Sequence, residues 1–319
     1  MLFKDIKGQA KALELLKAYI DGGRLEGGYL FTGPSSVGKK MTAKILSQAL
    51  NCLENNNRAC GSCSSCLKIK SDSHPDVHMI SGGEKQLKIE DVRQLQKDIS
   101  LKAYEGKYKV FIIDNAHMLT SEAANCLLKV LEEPPKFSLI ILITDKPNLL
   151  FKTVLSRCKV IKFSALKREE LSKALNSDYG LESGFAHFLS YFSEGRLGEA
   201  LRLKDSDIFN KKNALIDKFA VSSSYGVNDL EIEDKQDFYS LLHILGGWFR
   251  DIYFVKSGMP EEELINLDRK AELLKTAGRF TYPDLDRIIG SISNAILCLE
   301  RNINTKLLLH NLRAQIWER

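Results

Sequence analysis

Two groups of residues in the first third of the chain have the types and the spacing to do chemistry. One is a glycine- and lysine-containing segment, Gly33-Pro-Ser-Ser-Val-Gly38-Lys39-Lys40. The other is a set of four cysteines within fifteen residues: Cys52, Cys60, Cys63 and Cys66. Such a glycine-rich segment is typical of a loop that binds phosphate, and such closely spaced thiols are typical of a metal site.

The glycine-rich segment matches the P-loop pattern of nucleotide-binding proteins up to its last position. Gly33 and Gly38 let backbone N–H groups turn toward phosphate oxygens at a helix N-terminus, and Lys39 would neutralise the terminal phosphates. Lys40 stands where the pattern has a serine or threonine whose hydroxyl binds Mg²⁺. Because an ammonium there would repel the metal, the sequence predicts phosphate binding without efficient hydrolysis.

A second nucleotide-binding element follows the apolar run Val110-Phe-Ile-Ile113, which ends in Asp114. An aspartate after a buried strand is typical of the Walker B position, where the carboxylate helps to hold Mg²⁺. An active ATPase of this kind has a glutamate next, which polarises the attacking water, whereas Asn115 cannot act as a base. The two departures from the pattern, Lys40 and Asn115, therefore affect the same step.

The cysteines follow the spacing C-x7-C-x2-C-x2-C. Thiolates at these intervals can close tetrahedrally around Zn²⁺ and leave no open position, which is typical of a structural metal site. A bacterial ferredoxin cluster would need a further cysteine at position 70, where the chain has Lys70. Zinc is therefore favoured over an iron–sulfur cluster or metal-free thiols, which stay open as alternatives.

These groups need a scaffold, and short runs rich in branched apolar residues predict five strands. The runs lie at 29–32, 77–80, 110–113, 139–143 and 160–163. Helical patterns separate them, and the alternation predicts a parallel α/β sheet covered by helices on both faces. The first strand, the glycine-rich loop and the helix that starts near Met41 then form the strand–loop–helix unit that a P-loop requires.

Beyond residue 167 the sequence predicts helices only, such as 168–175 and 185–203. A polar stretch at 222–229 predicts a loop. An apolar stripe at helical spacing then predicts a long amphipathic helix: Phe238, Leu241, Leu245, Trp248 and Ile252. The C-terminal part is therefore expected to be all-α.

The composition of the 319 residues is that of a soluble protein of two or three domains, with 44% hydrophobic and 27% charged residues. The chain has no apolar run near the ~20 residues of a membrane helix and no N-terminal secretory pattern, so we expect a cytoplasmic protein. Its net charge of +5 is compatible with contact to nucleic acid but does not require it.

Arg157 lies in Leu155-Ser-Arg-Cys158, between two late strands. An arginine in such a loop is usually a solvated charge or a partner in a surface ion pair. Spacing alone gives it no other role.

Several of these segments together resemble the bacterial DNA polymerase III clamp-loader family. The resemblance rests on the cysteine cluster, the strand ending at Asp114, and the segments Asn125-Cys-Leu-Leu-Lys-Val-Leu-Glu-Glu-Pro-Pro135 and Ser156-Arg157-Cys158. It extends through Gly195-Arg-Leu-Gly-Glu-Ala200 to the helical C-terminal part. It therefore covers nearly the whole chain.

The resemblance implies three domains. The first is an α/β AAA+ P-loop domain at 1–163, with a four-cysteine zinc module inserted at 52–66. A small helical lid domain at 164–206 and an all-α collar domain at 207–319, which oligomerises, would follow.

The resemblance also implies a role. The family's ATPase subunits, gamma and tau, carry the hydroxyl and the glutamate that Lys40 and Asn115 replace, so this chain resembles the family's stator-like subunit. It would bind ATP or ADP weakly, show negligible ATPase activity of its own, and assemble with gamma or tau and delta. Together they would load the sliding clamp onto primed DNA, and Arg157 would act as an arginine finger on a neighbour's ATP.

Two other classes of function stay open. In one, the chain is a working ATPase, either a gamma-like motor or a helicase-loading relative, that tolerates Lys40 and Asn115. In the other, it is a zinc-dependent nucleic-acid-binding module. The second alternative has little support, because Arg58 is the only cation between Cys52 and Cys66 and no aromatic residues are interleaved with the cysteines.

Overall fold

The computed structural model describes residues 2–23, 25–54, 58–81, 86–221, 235–300 and 305–317. The chain forms two compact units. The first comprises Met1–Leu166 with Arg196–Gly198, and the second comprises Lys167–Gly195 with Glu199–Arg319. The loop expected at 222–229 lies outside the described residues. The division into three domains at residues 163 and 206 stays a prediction.

The first unit is built on a five-stranded sheet in the order β2-β3-β4-β1-β5, with each neighbouring pair parallel. The strands are β1 (Gly27–Thr32), β2 (Val77–Ser81), β3 (Lys109–Asp114), β4 (Ser138–Thr144) and β5 (Cys158–Lys162). Its helices are α1 (Ala10–Asp21), α2 (Lys39–Asn51), α3 (Ser64–Lys70), α4 (Ile89–Ile99), α5 (Ser121–Glu132) and α6 (Lys152–Leu155). The predicted parallel α/β sheet is confirmed.

Apolar residues lie on both faces of this sheet. Tyr29 and Phe31 of β1 pack in one core with apolar residues of α1 and α2, whereas Leu30 packs in a second core with apolar residues of α4 and α5. Successive side chains of a strand point to opposite faces, so strands covered on both sides are apolar throughout. This is why the sequence shows continuous apolar runs at these strands.

The strand order sets the location of the nucleotide-binding elements. Strands β3, β4 and β1 are neighbours, so their carboxyl ends meet at one edge of the sheet. Three groups lie at these ends: the loop after Thr32, the carboxylate of Asp114 and the hydroxyl of Thr144. In open parallel sheets, ligands bind outside this edge.

The rest of the described chain is helical, which confirms the helical C-terminal region. Its helices are α7 (Arg168–Tyr179), α8 (Ser183–Phe192), α9 (Leu197–Lys204), α10 (Ile208–Ile216), α11 (Lys235–Lys256), α12 (Lys270–Ala277), α13 (Tyr282–Glu300) and α14 (Thr305–Trp317). The predicted apolar stripe is buried along α11: Phe238, Leu241, Leu245, Trp248 and Ile252.

The prediction of one helical segment over 185–203 is wrong, because the chain breaks between α8 and α9. Glu194 has a φ of 53° and Gly195 a φ of 78°, so two successive residues adopt the left-handed conformation that ends a helix. The Gly195 N–H then donates to the Ser190 carbonyl at 3.3 Å. As a result, Arg196–Gly198 join the first unit.

Candidate functional site

The loop between β1 and α2 has a backbone shape that only glycine allows at its first position. Gly33 has a φ of 143°, and a Cβ there would lie 2.1 Å from the carbonyl oxygen of Phe163. Gly38 has a φ of 98° and forms the N-cap of α2. The loop therefore leads directly into a helix N-terminus, where backbone N–H groups are available to a phosphate.

Lys39, the first residue of α2, is buried within this loop with 6% of its surface exposed. Its Nζ donates to the carbonyl oxygens of Gly33 at 2.6 Å and Pro34 at 2.5 Å. Burial lowers the pKa of Lys39, although the charges of Asp145 and Asp114 oppose that change. The ammonium is thus held over the loop in which a phosphate would bind.

Lys40 and Asn115, the two departures from the ATPase pattern, both contact Asp114. The Nζ of Lys40 lies 3.5 Å from Oδ2 of Asp114. The backbone N–H of Asn115 donates to Oδ1 of the same carboxylate at 3.1 Å, and Asn115 itself has a φ of 55°. The structure therefore brings together the predicted residues of the phosphate loop and the Walker B strand.

Sequence reasoning missed Arg196, which the helix break places beside the same loop. Its Nη1 lies 3.4 Å from Oγ of Ser35, and the N–H of Gly198 donates to the Ser36 carbonyl at 2.9 Å. A Cβ on Gly198 would lie 2.8 Å from that carbonyl, so the approach requires glycine. The available signal was a pair of glycines flanking an arginine within an apparently helical segment.

A polar pair at the end of β4 was also missed. Nδ1 of His117 lies 3.0 Å from Oγ1 of Thr144, and 3.7 Å from a carboxylate oxygen of Asp145. These residues lie at or just after the carboxyl ends of the buried strands β3 and β4, as Asp114 does. That shared position was the signal that could have identified them.

The four cysteines converge where α2 ends and α3 begins. Their sulfur atoms all lie within 4.8 Å of one another, and the group found among the described residues consists of these four cysteines. Cys52, Cys63 and Cys66 are buried, while Cys60 is partly exposed. This group of residues could hold a metal ion.

Local hydrogen bonds support this interpretation of the cysteines. The backbone N–H groups of Ser62 and Cys63 point at Sγ of Cys60, at 3.4 and 3.2 Å. Together with the Ser62 hydroxyl they lower the pKa of Cys60 to about 6, whereas burial raises the pKa of Cys66 to about 12. A tetrahedral zinc with Zn–S distances of about 2.3 Å would place sulfurs roughly 3.8 Å apart, so the donor set fits this metal.

Arg157 lies at the other end of the sheet from the phosphate loop. The register pairs Gly28 with Cys158, so Arg157, just before β5, lies beside the start of β1, whereas the phosphate loop follows the end of β1 at Thr32. At a rise of roughly 3.3 Å per strand residue, the six residues from Gly27 to Gly33 separate the Arg157 backbone from Gly33 by roughly 20 Å. The structure therefore does not bring Arg157 to this chain's own phosphate loop.

The side chain of Arg157 is partly exposed and held by neighbours. Nε donates to Oε1 of Glu132 at 2.7 Å, and Nη2 lies 2.6 Å from the same oxygen. Nη1 donates to the Thr153 carbonyl at 3.0 Å. These contacts fix the guanidinium at the surface of the first unit.

In the described part of the chain, no helix is both long enough and apolar enough to cross a membrane.

Comparisons with known proteins identify relatives along the whole chain. A family model described as DNA polymerase III, delta subunit matches residues 8–167, and one described as DNA polymerase III, delta subunit, C terminal matches residues 209–316. The chain is 29% identical to DNA polymerase III subunit delta′ of Bacillus subtilis strain 168, over 97% of this chain and 96% of that protein.

A second kind of relative is similar over part of its length. The chain is 34% identical to DNA polymerase III subunit tau of Escherichia coli K12 over 71% of this chain, but spans only 36% of that subunit. It spans 42% of the tau subunit of Bacillus subtilis, with 30% identity. A solved gamma-subunit-related protein of Thermotoga maritima is 18% identical over 97% of this chain and 99% of that chain, with a TM-score of 0.45.

Proposed function

This chain belongs to the DNA polymerase III clamp-loader family and is a clamp-loader subunit. We propose that it acts as the stator-like, delta-prime type of subunit. In this role it supports ATP-dependent loading of the sliding clamp onto primed DNA without hydrolysing ATP itself. It also supplies Arg157 to the nucleotide of a neighbouring ATPase subunit.

The composition of the nucleotide site supports the first half of the proposal. Asn115 provides no carboxylate to activate water, and Lys40 provides no hydroxyl to bind Mg²⁺. The phosphate cradle of Gly33, Gly38 and Lys39 is retained, which supports weak binding of ATP or ADP. The site therefore binds nucleotide in a structural role.

The location of Arg157 is the single observation that carries the second half. An arginine finger must reach the transferred phosphate, and the backbone of Arg157 is roughly 20 Å along the strand from its own phosphate loop. It is nevertheless partly exposed and ordered by Glu132, so its guanidinium faces a surface that another subunit could cover. Arg157 therefore serves a site on a neighbour.

The cysteine cluster completes the proposal with a structural Zn²⁺ bound by Cys52, Cys60, Cys63 and Cys66. Four thiolates leave the metal no open position, so it stabilises the segment between α2 and β2 and takes no part in chemistry. The proposed partners are the gamma or tau and delta subunits. The clamp and DNA are contacted within that assembly.

The test is a clamp loader reconstituted from this chain and its ATPase partners. We expect Arg157→Ala to lower DNA-stimulated ATP hydrolysis by up to ~10³-fold, since arginine fingers stabilise the transferring phosphate by this order. Lys152→Ala, which removes an exposed cation from the neighbouring helix α6, is the matched control and should leave the rate unchanged. Complex assembly is measured for both variants by size-exclusion chromatography.

An Arg157→Ala complex that assembles and hydrolyses ATP at the rate of the Lys152→Ala complex would contradict the proposed role. Arg157 would then be only a partner in a surface ion pair with Glu132.

A further inference from the structure

Lys40 and Asp114 form an ion pair at the place where a P-loop protein holds Mg²⁺. In the usual arrangement, the hydroxyl after the P-loop lysine and the Walker B carboxylate both bind the metal. Here an ammonium replaces the hydroxyl, and its Nζ lies 3.5 Å from Oδ2 of Asp114. We propose that Lys40 takes the place of the metal, so that this site binds nucleoside diphosphate or triphosphate in its metal-free form.

The residues of this site do not fit Mg²⁺. The metal requires six oxygen ligands at about 2.0–2.1 Å, and an ammonium has donors but no acceptor. The carboxylate of Asp114 is engaged on both oxygens, because Oδ1 accepts from the Asn115 N–H and Oδ2 faces Lys40. A divalent cation at this carboxylate would have to displace Lys40 and would then lie beside its like charge.

The same residues fit a polyphosphate that carries its full negative charge. The Lys40 side chain is about half exposed, at 48%, so its ammonium can face both Asp114 and a ligand in the loop. An ammonium has three donors, and only part of this capacity is used by one carboxylate oxygen. With Lys39 and Arg196 beside the same loop, three cationic side chains compensate the ligand charge that Mg²⁺ usually neutralises.

Magnesium should therefore compete with the protein for the nucleotide. This inference refines the nucleotide site of the proposed function and rests on it, but it concerns binding by the isolated chain alone. Its outcome is measured without partner subunits. The role of Arg157, by contrast, is measured only in the assembled complex, so failure of one is distinguishable from failure of the other.

The experiment is calorimetric titration of the isolated chain with ADP and with ATP, in EDTA and in excess Mg²⁺. The unmodified chain should bind at least as tightly in EDTA as in Mg²⁺. Lys40→Thr restores the hydroxyl and frees Asp114, so Mg²⁺ should now increase affinity by about tenfold. Lys40→Met removes the ammonium without supplying a ligand, and should lose about tenfold in EDTA with no gain from Mg²⁺.

Lys44→Thr is the matched control, because Lys44 lies one turn further along α2 and pairs with Asp72 instead. It should bind as the unmodified chain does. Tighter binding of the unmodified chain in Mg²⁺ would overturn the inference, as would no binding in either condition. Equal behaviour of the Lys40→Met and Lys44→Thr variants would overturn it too, even if Lys40→Thr failed to fold.

Discussion

At the scale of single residues, the chemistry of this chain depends on what each charged group faces. Lys40 directly follows Lys39, the lysine of the predicted phosphate loop, yet its side chain faces the carboxylate of Asp114. Arg157 is a surface arginine by its spacing, yet the strand register places it far from the chain's own phosphate loop. In both cases the position of the side chain in the fold, and not the residue type, determines the proposed role.

Asp76 illustrates the same dependence in the scaffold. Its carboxylate is fully buried and accepts N–H groups from Tyr104, Glu105 and Gly106 at 2.7 to 2.9 Å. Burial opposes ionisation, but the three backbone donors outweigh it and lower the pKa of Asp76. The ionised carboxylate of Asp76, just before β2, thus stabilises the position of residues 104–106, which precede β3.

We expect Asp76→Asn to destabilise the chain by about 2–3 kcal/mol at neutral pH, because it weakens charge-assisted bonds to buried donors. The pKa of Asp76 is lower in the folded chain than in the unfolded chain, where it is about 3.9. The ionised carboxylate therefore contributes its full stabilisation above pH ~3.9, and this contribution is lost as the pH falls from there through the pKa of the folded state. The difference in the free energy of unfolding between the variant and the unmodified chain should therefore become smaller at acidic pH. Urea unfolding at neutral and acidic pH measures it.

Asp72→Asn is the control for that comparison. Asp72 is exposed and pairs with Lys44, so its loss should change stability by less than about 1 kcal/mol. Equal effects of the two substitutions, or a difference that does not depend on pH, would show that Asp76 has no special role.

At the scale of elements, the metal site concerns the segment between α2 and β2. We expect the purified chain to contain one Zn²⁺, and Cys63→Ser to lose it. Because the metal closes a local segment and not the main core, the variant should become sensitive to protease near α3 while keeping most of its helical circular dichroism. Elemental analysis, before and after a chelator, measures the metal.

Cys298→Ser, which changes a thiol in α13 outside the cluster, should keep the zinc. Iron in the purified chain, or no metal in protein prepared without chelator, would rule out the zinc assignment.

Elements of the first unit could be predicted well from sequence, because their strands are buried on both faces. The run at 139–143, for example, lies within the fully buried β4. The break after α8 could not be predicted in this way. It depends on a left-handed Glu194 and on the close approach of Gly198 to Ser36, and neither leaves a periodic signal.

The same distinction between local and long-range features applies to the candidate site. The residues of the phosphate loop and of the cysteine cluster follow local spacing rules, so the sequence could identify them. The Lys40–Asp114 pair, the approach of Arg196 to Ser35 and the Glu132–Arg157 contact join segments that are distant in sequence. Only the folded chain brings these groups together, through the packing of strands and helices for the first and third contacts and through the break after α8 for the second.

At the scale of the whole molecule, the parallel sheet separates the two sites to which we assign functions. Its carboxyl edge carries a phosphate loop without the groups for hydrolysis, and the opposite edge presents Arg157. In the proposed function, one domain holds a nucleotide site of its own and completes the nucleotide site of a neighbour. Such a subunit contributes to ATP hydrolysis that it does not perform.

The release of phosphate from Mg²⁺–ATP by the isolated chain tests this account most directly. We predict no release above background by the chain alone, and DNA-stimulated release once it is assembled with its ATPase partners. Robust Mg²⁺-dependent hydrolysis by the isolated chain, abolished by Lys39→Ala, would contradict the account and identify the chain as a working ATPase.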